Sequence, residues 1–432
     1  MLRFAPSPTG DMHIGNLRVA IFNYILAKQQ NKNFLVRIED TDVERNIEGK
    51  DGEILAILQK FGLNDDQLYY QSKNKHIHQH MALKLVEQKK AFACFCSKEE
   101  LEAQRDLAKE GKKAYRYSGK CEFLTAKEVL QGDKKYVVRL KKPQDDITFD
   151  DQIKGEVRSA PNEIDSFVIL RADGNPTYNF ACAVDDMVHG ISYVCRGEDH
   201  TSNTPKQIHI RQMLDYEKTI TYAHLPIILN KDGKKMSKRD DASSVKWLLS
   251  EGFLPNAVIN YLLQLGNKTP KEIFDLHDAI EWFDINNISK AAAKFDLDKL
   301  RFINRAHINK TADRDLAKFF GFSEEQIGML AKVYTQEAST LKEIDTKIAA
   351  IFQPKDFENE YKQQMLQLRD IVLQAPLFDE FDQFKNHLSK QSNLKGKNFF
   401  KPLRILMTGV ANGPELSEIY PYIKSYLTQI VR

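Results

Sequence analysis

The sequence predicts an α/β domain built on a parallel sheet, interrupted by an inserted α+β domain and followed by all-α C-terminal domains. Three observations lead to this prediction. Strand and helix patterns alternate over residues 1–95 and again over residues 176–240. The segment between these two ranges is rich in charge and has only short strand candidates. From about residue 243 onward, nearly all apolar residues recur at helical spacing.

The first half of the α/β domain contains the clearest elements. LRFAP is a short strand candidate, and the helix that follows it has an apolar face between Leu17 and Ile25. NFLVRIED is a strand candidate with Phe34, Val36 and Ile38 on one side. EGKDGEILAILQKFG and KHIHQHMALKLVEQ then have helical spacing. This order of strand, helix, strand and helix favours a parallel sheet covered by helices.

The later elements set the domain boundaries. KYVVRL is a strand candidate in the insertion, and ISYVCRGED and TYAHLPIIL are strand candidates in the second half of the α/β domain. Two helices are predicted on either side of Gly252–Pro255, and residues 323–352 have helical spacing almost without Gly or Pro. The predicted ranges are 1–96 and 176–242 for the α/β domain, 97–175 for the insertion, and 243–310 and 311–432 for two helical domains.

Composition restricts the class of protein. The 432 residues are 42% apolar and 28% charged, as in ordinary globular proteins, and the formal net charge is +3. This balance neither requires nor excludes a nucleic-acid partner. No apolar run reaches the ~20 residues of a membrane span, and no signal peptide is visible. Five cysteines, an odd number, favour a reducing compartment, so we expect a cytoplasmic protein.

The opening loop, RFAPSPTGDMHIGN, is the first candidate binding site. It joins a strand to a helix, so it lies at the carboxyl end of the sheet, where open α/β sheets bind ligands. The helix N-terminus suits phosphate, Gly15 lets a ligand approach the backbone, and His13 can donate a hydrogen bond to phosphoryl oxygens. A plain strand–turn–helix connection with a capping histidine explains this loop equally well when it is considered alone.

A basic segment about 220 residues later, KKMSKRDDASSV, is the second candidate. Basic residues on a mobile loop can follow the charge that develops on a transferring triphosphate. An isolated basic run is usually a solvated loop, but here the two segments occur together and in this order. The residues concerned are Lys234, Lys235, Met236, Ser237, Lys238 and Arg239.

These two segments resemble the signature motifs of class I aminoacyl-tRNA synthetases. Other segments resemble the glutamyl branch of that family, among them VRIEDTD, NPTYNFACAVDD, RGEDHTSNTPKQ, LPNAVINYLLQLG, FDLDKLRFIN and PLRILMTGVANGPEL. They run from residue 3 to about residue 415, so the resemblance covers essentially the whole chain. It implies a Rossmann-type catalytic domain that uses ATP with Mg²⁺ to convert L-glutamate to glutamyl-adenylate. The glutamyl group then passes to tRNA, and AMP and pyrophosphate are released.

The resemblance assigns the ATP site to the two motifs. It implies that His13 and Lys238 are catalytic, since both would contact the triphosphate. Asn16 stands at the fourth motif position, where many class I enzymes have a second histidine, and so departs from the pattern. The ATP-binding residues implied are Pro8, Thr9, Gly10, His13, Gly15, Asn16, Lys235, Met236, Ser237 and Lys238.

Recognition of glutamate can be argued from its chemistry. A buried carboxylate needs cationic and preferably bidentate partners, and Arg3 and Arg196 both lie at strand ends on the ligand edge. Glu39 suits the substrate ammonium group, although it could instead pair with Arg37 or Lys32. Arg3 could instead be a surface charge near the terminus. Cys182 departs from the asparagine of some relatives and cannot replace its amide hydrogen bonds, so a changed affinity is expected. The residues that the resemblance implies for glutamate are Arg3, Ser7, Glu39, Tyr178 and Arg196.

A cysteine cluster in the insertion is a candidate metal site. Cys94 and Cys96 form a C-x-C pair, and Cys121 follows 25 residues after Cys96, which is metal-ligand spacing. Some glutamyl enzymes bind zinc with C-x-C and Y-x₃-C, so the resemblance implies a structural Zn²⁺ held by Cys94, Cys96, Tyr117 and Cys121. Three reduced, unlinked thiols are the alternative. The histidines of HIHQH at 76–80 are predicted to lie on a solvated helix face.

The partners follow from the same resemblance. Basic residues interleaved with Tyr115, Tyr117 and Tyr136 suit a single-stranded nucleic-acid end, so the insertion is expected to bind the tRNA acceptor end and the helical C-terminal part the anticodon. The branch is usually monomeric. The N-terminal sequence and compact length resemble a second glutamyl type, which charges tRNA(Gln) for later amidation by an amidotransferase; tRNA(Glu) is the other candidate substrate.

Four other kinds of protein share parts of this pattern. A glutaminyl-tRNA synthetase shares the catalytic domain but has a β-rich anticodon part, unlike the helical pattern after residue 310. An anticodon-independent tRNA-modifying relative would lack the helical tail, as would the related nucleotidyltransferases. A non-catalytic tRNA-binding paralogue would be expected to lose His13 or Lys238, and both are present.

Overall fold

The computed structural model describes residues 1–130, 135–237 and 240–432, which divide into two units. The first comprises Met1–Val245 and Leu262–Phe295, and the second comprises Lys246–Tyr261 and Asp296–Arg432. The five domain ranges from the sequence are finer than this division and stay a prediction. No helix in the three described ranges combines the length and the apolar content that crossing a membrane takes.

Strands alternate with helices over residues 1–95, as the sequence predicts, and over most of residues 176–240, where the last two strands follow each other directly. The bounds of the strands are β1 Leu2–Phe4, β2 Phe34–Ile38, β3 Gln67–Tyr70, β4 Ala91–Cys94, β5 Val137–Leu140, β6 Ile147–Asp151, β7 Gly155–Ser159, β8 Val168–Leu170, β9 Tyr193–Gly197, β10 Thr221–Leu225, β11 Ile228–Leu229 and β12 Ala293–Lys294.

The helices of the first half of the chain are α1 Ile14–Gln29, α2 Lys50–Lys60, α3 Lys75–Glu87, α4 Lys98–Glu110, α5 Ala126–Leu130, α6 Pro161–Ile164, α7 Tyr178–Val188 and α8 Thr204–Met213. The later helices are α9 Val245–Ser250, α10 Pro255–Gln264, α11 Leu276–Trp282, α12 Leu297–Lys310, α13 Asp313–Phe319, α14 Glu325–Tyr334, α15 Leu341–Phe352, α16 Lys362–Gln374, α17 Phe381–Ser392, α18 Lys397–Thr408, α19 Leu416–Ile423 and α20 Leu427–Ile430.

The main sheet of the first unit has the strand order β3-β2-β1-β9-β10-β6-β7. Neighbours from β3 to β6 are parallel, and β7 is antiparallel at one edge. The predicted parallel sheet is therefore confirmed. The strand order reverses between β1 and β9, so the carboxyl ends of β1, β9 and β10 lie side by side at the place where open sheets bind ligands.

Strands of the predicted insertion 97–175 enter two different sheets. β6 and β7 extend the main sheet, whereas β5 and β8 pair antiparallel with β4 in a separate three-stranded sheet. The sheet boundaries therefore differ from the predicted domain boundary at residue 97, because β4 precedes it. The alternation of polar and apolar residues predicts a strand, but it does not say which sheet the strand will join.

Burial in the main sheet is two-sided. Phe34, Val36 and Ile38 share one face of β2, as predicted, but Leu35 and Arg37 on the other face are buried as well. Helices on both faces of a parallel sheet produce this pattern. Arg37 is therefore a fully buried charge on β2, one strand in from the edge of the sheet, and its partners matter for the site described below.

The histidine run of α3 is only partly as predicted. His76 and His80 are exposed, so they lie on a solvated face. His78 is fully buried, and its Nε2 lies 2.8 Å from the Oδ1 of Asp185 on α7. The carboxylate partner is about 100 residues away in sequence, and the spacing of the histidines gives no sign of it.

Helices α12 to α20 build the second unit together with Lys246–Tyr261. The helical stretch predicted over 323–352 is two helices, because Thr340 and Glu343 form a capping box that begins α15. The Thr340 side chain accepts from the Glu343 N–H at 3.3 Å, and the Glu343 carboxylate accepts from the Thr340 N–H at 3.2 Å.

We expect Gly328→Ala to destabilise the second unit by about 1–3 kcal/mol, because an added methyl group would overlap α13. A Cβ at Gly328 would lie 1.9 Å from the backbone oxygen of Asp313. Urea unfolding followed by circular dichroism measures the loss. Gly52→Ala is the control, because a Cβ at this helix position would have no other described group within 4 Å apart from its own helix. This variant should gain roughly 1 kcal/mol of stability from the higher helix propensity of alanine. Equal stability of the Gly328→Ala variant and the wild type would contradict the close packing.

Candidate active site

A cavity of about 680 Å³ opens in the first unit where β1, β9 and β10 end and α1 begins. Most of the residues predicted for ATP and glutamate line it. Pro8 and Gly10 lie in the same loop without lining the cavity, and Lys238 lies outside the described residues. The predicted residues that line it are Arg3, Ser7, Thr9, His13, Gly15, Asn16, Glu39, Tyr178, Arg196, Lys235, Met236 and Ser237.

Backbone hydrogen bonds hold the opening loop in place. The Glu39 N–H donates to the Pro6 oxygen at 2.9 Å, and the Ile47 N–H donates to the Pro8 oxygen at 2.9 Å. Within the loop, the Thr9 N–H donates to the Ser7 oxygen at 2.9 Å. The loop is therefore anchored to the segment that follows β2, which explains how a chain with two prolines keeps one shape at the cavity wall.

His13 caps the N-terminus of α1. Its Nδ1 accepts a hydrogen bond from the Gly15 N–H at 3.0 Å, so the neutral ring carries its proton on Nε2. A Cβ at Gly15 would lie 3.3 Å from that Nδ1, which is tight, so glycine suits the capping geometry. The positive end of the helix and a ring N–H donor together form a site that suits phosphate oxygens.

The second motif borders the same cavity. Met236 is buried, and its N–H donates to the Ile228 oxygen at 2.9 Å, which ties the segment to β11. The exposed Lys235 pairs with Asp199, with Nζ and Oδ2 3.2 Å apart. The two motifs, which are far apart in sequence, therefore line one cavity, as the ATP-site prediction requires.

Arg196 is a buried cation at the wall of the cavity. It is only 5% exposed, and in the described part of the chain it donates only to uncharged groups. Its Nη1 lies 3.0 Å from the Gln207 Oε1, its Nη2 lies 2.6 Å from the Thr204 Oγ1, and its Nε lies 3.2 Å from the His224 Nε2. A buried guanidinium without a carboxylate beside it favours an anionic ligand.

Arg3 is already paired with a carboxylate. Its Nε and Nη2 contact the two oxygens of Asp186 at 3.2 and 3.4 Å, and Arg37 Nη1 contacts the same carboxylate at 2.6 Å. Burial alone would raise the pKa of the Asp186 carboxyl, but the two arginines hold it well below its usual range. The role of Arg3 toward substrate stays a prediction, and the structure adds Asp186 as its protein partner.

Glu39 contacts Arg37, as the alternative from the sequence allowed. The Arg37 Nη2 donates to the Glu39 Oε1 at 3.0 Å and also lies 3.2 Å from the Cys182 sulfur. Glu39 still lines the cavity, and burial raises the pKa of its carboxyl despite Arg37. Cys182 likewise lines the cavity, and burial raises the pKa of its thiol to about 11. It is therefore a neutral thiol at pH 7.

The predicted glutamate residues lie close together. Tyr178 begins α7, and its hydroxyl lies 3.0 Å from the His200 Nδ1. Burial raises the pKa of this hydroxyl, with smaller effects from Cys182, Glu39, Arg196 and Arg3. The pocket thus combines positive, negative and neutral polar groups, as an amino acid with a carboxylate side chain requires.

Sequence reasoning missed several buried groups at this site. Arg18 on α1 lines the cavity, and its guanidinium donates to the backbone oxygens of Pro226 and Leu265 at 3.3 and 2.6 Å. Burial lowers the pKa of Arg18 to about 10. For Arg18, the available signal was a charge within the apolar run LRVAIF of α1. For Asp186, which was also missed, it was the DD pair at the end of NFACAVDD.

The cysteine cluster lies beside the small antiparallel sheet. The sulfurs of Cys94, Cys96 and Cys121 all lie within 4.8 Å of one another, and those of Cys96 and Cys121 are 3.6 Å apart. The Tyr117 hydroxyl lies 3.4 Å from the Cys94 sulfur and 3.6 Å from the Cys96 sulfur. In tetrahedral Zn–S geometry two sulfurs are about 3.8 Å apart, so the four groups fit one zinc ion.

The aromatic residues of the insertion differ in how far they are exposed. Tyr117 is buried in the cysteine cluster, so its predicted stacking on a nucleic-acid end is wrong. Tyr136 is 43% exposed, and Phe123, which the sequence analysis did not select, is 85% exposed. The side chain of Arg105 lies 5.4 Å from the ring centre of the half-buried Tyr115.

Comparison with family models matches almost the whole chain. Residues 1–302 match the catalytic domain of class I tRNA synthetases (E and Q), and residues 301–424 match an anticodon binding domain. The anticodon match covers most of the predicted C-terminal helical region. The residues of the cavity all lie within the catalytic-domain match.

Comparison with individual proteins agrees with these matches. Glutamate–tRNA ligase 1 of Nitratiruptor sp. is 62% identical, and glutamate–tRNA ligase 2 of Campylobacter jejuni subsp. doylei is 57% identical, each over all of both chains. The crystal structure of a glutamate tRNA ligase from Elizabethkingia meningosepticum in complex with its amino acid has a TM-score of 0.84. It shares 26% identity and covers 99% of this chain and 97% of its own. The chain therefore belongs to the glutamate–tRNA ligases, within the class I tRNA synthetases.

Proposed function

We propose that the cavity of the first unit activates L-glutamate with ATP and transfers it to tRNA(Gln). The observation that carries this proposal is that both sequence motifs and the buried Arg196 line the same cavity. One cavity can then hold a triphosphate and a carboxylate side chain next to each other, which is the arrangement that the first reaction step needs.

The ATP half of the site is assigned to the two motifs. His13 and the start of α1 would bind phosphoryl oxygens, and Gly15 and Asn16 would lie beside the nucleotide. Lys235, Met236 and Ser237 border the same space, and Lys238 is assigned from its motif alone. Mg²⁺ would accompany ATP as part of the substrate, since it offsets the charge of the phosphates.

The glutamate half is assigned to the buried Arg196 and Glu39 and to two exposed groups at the cavity wall, Tyr178 and Ser7. Arg196 would bind the side-chain carboxylate, Glu39 would face the ammonium group, and Tyr178 and Ser7 would border the ligand. A cation at this position favours glutamate over glutamine, because the neutral amide leaves the buried charge without a partner. The same argument supports a glutamyl rather than a glutaminyl enzyme.

The reaction then has two steps. The α-carboxylate oxygen of glutamate attacks the α-phosphorus of ATP, the bond from that phosphorus to the bridging oxygen breaks, and pyrophosphate leaves. A ribose hydroxyl of the terminal adenosine of tRNA next attacks the carbonyl carbon, its proton is lost, and AMP leaves. In our proposal bound tRNA completes the site for the first step, so that binding energy from a distant contact drives activation.

The choice of tRNA is the finer part of the proposal. The matching relatives carry the numbers 1 and 2 in their names, and we treat this chain as one of two such ligases, which supplies glutamyl-tRNA(Gln) to an amidotransferase. We place it in the cytoplasm as a monomer. In this proposal the insertion binds the acceptor end and the helical second unit binds the anticodon.

Aminoacylation of purified tRNA(Gln) and tRNA(Glu) tests the choice of tRNA. We expect the enzyme to charge tRNA(Gln) with labelled glutamate more efficiently than tRNA(Glu). Glutamine in place of glutamate is the matched control and should not be transferred. Efficient charging of tRNA(Glu) alone would contradict the assignment to tRNA(Gln), although the ligase activity itself would stand.

The cysteine cluster is proposed to hold a structural zinc ion. Cys94, Cys96 and Cys121 would supply thiolates and Tyr117 an oxygen, and the ion would join residues near both ends of the segment 94–121. The ion would have no part in the reaction, because the four groups do not line the cavity.

We expect the purified protein to contain about one zinc ion per chain and Cys121→Ser to lose most of it, because serine replaces one of the three thiolates that would bind the ion most strongly with a neutral aliphatic hydroxyl. Elemental analysis after dialysis measures this content. Cys195→Ala, which removes a buried thiol outside the cluster, should keep the zinc. Equal zinc content in the Cys121→Ser variant and the wild type would show that the cluster does not bind the ion.

A further inference from the structure

Behind Arg196, two buried groups continue a chain of hydrogen bonds across three strands. Arg196 on β9 lies next to His224 on β10, and Asp151 ends the adjacent strand β6. The Arg196 Nε lies 3.2 Å from the His224 Nε2, and the His224 Nδ1 lies 2.6 Å from the Asp151 Oδ2. All three side chains are at most 5% exposed, and only Arg196 lines the cavity.

The hydrogen bonds require one tautomer of His224. The Nε of Arg196 can only donate, so the His224 Nε2 must accept. The Thr204 Oγ1 lies 3.0 Å from the same nitrogen and can donate its own proton to it while accepting from the Arg196 Nη2. The ring proton is then on Nδ1 and is donated to Asp151. Burial lowers the pKa of the His224 imidazole, so the ring is neutral near pH 7 and does not repel Arg196.

Asp151 is itself held in one orientation. Its Oδ1 accepts from the backbone N–H groups of Ile153 at 3.0 Å, Lys154 at 2.8 Å and His224 at 3.3 Å. That oxygen must be an acceptor, so the other oxygen, Oδ2, faces the histidine ring. The order from backbone to carboxylate to ring to guanidinium is therefore fixed at every link.

The contacts of Arg196 leave a defined part of its guanidinium for a ligand. A guanidinium has five N–H donors, and the described contacts use one each on Nε, Nη1 and Nη2. One N–H on Nη1 and one on Nη2 remain. A carboxylate has two oxygens that can accept from these two donors.

We propose that His224 and Asp151 are positioning residues, which turn Arg196 so that its two remaining N–H donors receive the side-chain carboxylate of the substrate. This inference rests on the proposed function, because it takes Arg196 as the group that binds glutamate. Neither residue contacts the substrate in this proposal. Together they set the direction of the guanidinium before the substrate arrives, which lowers the cost of binding.

Asp151→Asn tests the tautomer directly. The backbone N–H groups need the amide oxygen where Oδ1 is now, so the amide nitrogen must face the ring. His224 then has to accept at Nδ1 and to carry its proton on Nε2. The new N–H can donate to the Thr204 Oγ1, 3.0 Å away, but the Arg196 Nε loses its acceptor and faces a second donor. We expect the KM for glutamate to rise about 10- to 100-fold, while kcat and the KM for ATP stay within about threefold of wild type.

Substitutions of His224 provide a second readout. The side-chain oxygen of Gln in His224→Gln can accept from Arg196 in place of Nε2, whereas Leu in His224→Leu cannot accept. We expect His224→Gln to keep most of the glutamate affinity that His224→Leu loses. His209→Gln is the matched control, because His209 is also buried and its ring, within the described part of the chain, bonds to the Lys141 oxygen at 2.7 Å and to no group of the cavity.

Glutamate-dependent ATP–pyrophosphate exchange with tRNA present measures both KM values, and thermal unfolding checks that each variant folds. The positioning role would be overturned if the Asp151→Asn variant folds and keeps the wild-type KM for glutamate. It would also be overturned if His224→Gln and His224→Leu raise this KM equally. A parallel rise in the KM for ATP would show a general structural defect and would also overturn it. Arg196→Lys separates the two proposals: if it alone raises the KM for glutamate, only the positioning role fails, and if it has no effect, the glutamate assignment fails as well.

Discussion

Arg196→Ala is expected to lower kcat/KM for glutamate by about 10²- to 10³-fold. The substitution removes the buried guanidinium that has no carboxylate beside it in the described residues. The substrate carboxylate would then be buried without the cation that pairs with it. The loss should be mainly in KM, since the group binds the substrate and does not take part in bond breaking. Steady-state ATP–pyrophosphate exchange at varied glutamate concentrations measures it.

The control for this experiment is another buried arginine. Arg211 on α8 is 6% exposed and does not line the cavity. Arg211→Ala removes the same group from the same unit, and it should change stability rather than the KM for glutamate. If both variants raise this KM equally, Arg196 acts through the fold and not through the ligand.

Asp186→Asn is expected to cost about 3–5 kcal/mol of unfolding free energy, because it leaves buried charges without their partner. Arg3 and Arg37 share this carboxylate, and all three side chains are at most 3% exposed. Among the described side chains, the Glu39 carboxylate accepts a hydrogen bond from Arg37 and none from Arg3, so it does not replace Asp186 as the partner of Arg3. Thermal and urea unfolding measure the loss.

An exposed aspartate in the same unit is the control. Asp65→Asn changes the same group on the surface, where substitutions are usually within about 0.5 kcal/mol of neutral. A loss of less than about 1 kcal/mol in the Asp186→Asn variant would mean that the two arginines do not depend on the shared carboxylate.

The same carboxylate predicts a pH dependence of stability. Burial would raise the pKa of Asp186, but Arg3 and Arg37 lower it below the ordinary value of 3.8. A depressed pKa adds stability that is fully present above the unfolded value and is lost as the pH falls toward the folded value. We therefore expect a loss of wild-type stability below about pH 4 that is smaller in Asp186→Asn, as measured by urea unfolding from pH 3 to pH 7. If the unfolding free energies of the wild type and of Asp186→Asn fall equally as the pH falls, this expectation is contradicted.

The sequence predicted the parts of the site that are local in the chain. Short patterns predict the loop from Arg3 to Asn16, its helix and the basic segment around Lys235. Each of these segments has a pattern contained within about fifteen residues. The strand-end position of Arg196 followed from the apolar pattern of ISYVCRGED. These predictions need only the rule that parallel strands present their carboxyl ends at one edge.

The partners of these residues could not be predicted in the same way. Asp151 reaches His224 only because β6 joins the main sheet next to β10, and the pattern of β6 alone fits either sheet. His78 and Asp185 pair across 107 residues, and Arg3 and Asp186 across 183. Such pairs depend on strand order and helix packing, and a single sequence does not report these.

Glutamate-dependent ATP–pyrophosphate exchange, with and without tRNA, tests the central claim most directly. The claim is that one cavity holds both ATP and the carboxylate side chain of glutamate and joins them as an adenylate. We predict exchange with L-glutamate when tRNA is present, little exchange when tRNA is absent, and none with L-glutamine. Exchange that is absent even with tRNA, or that is equally fast with glutamine, would contradict the claim.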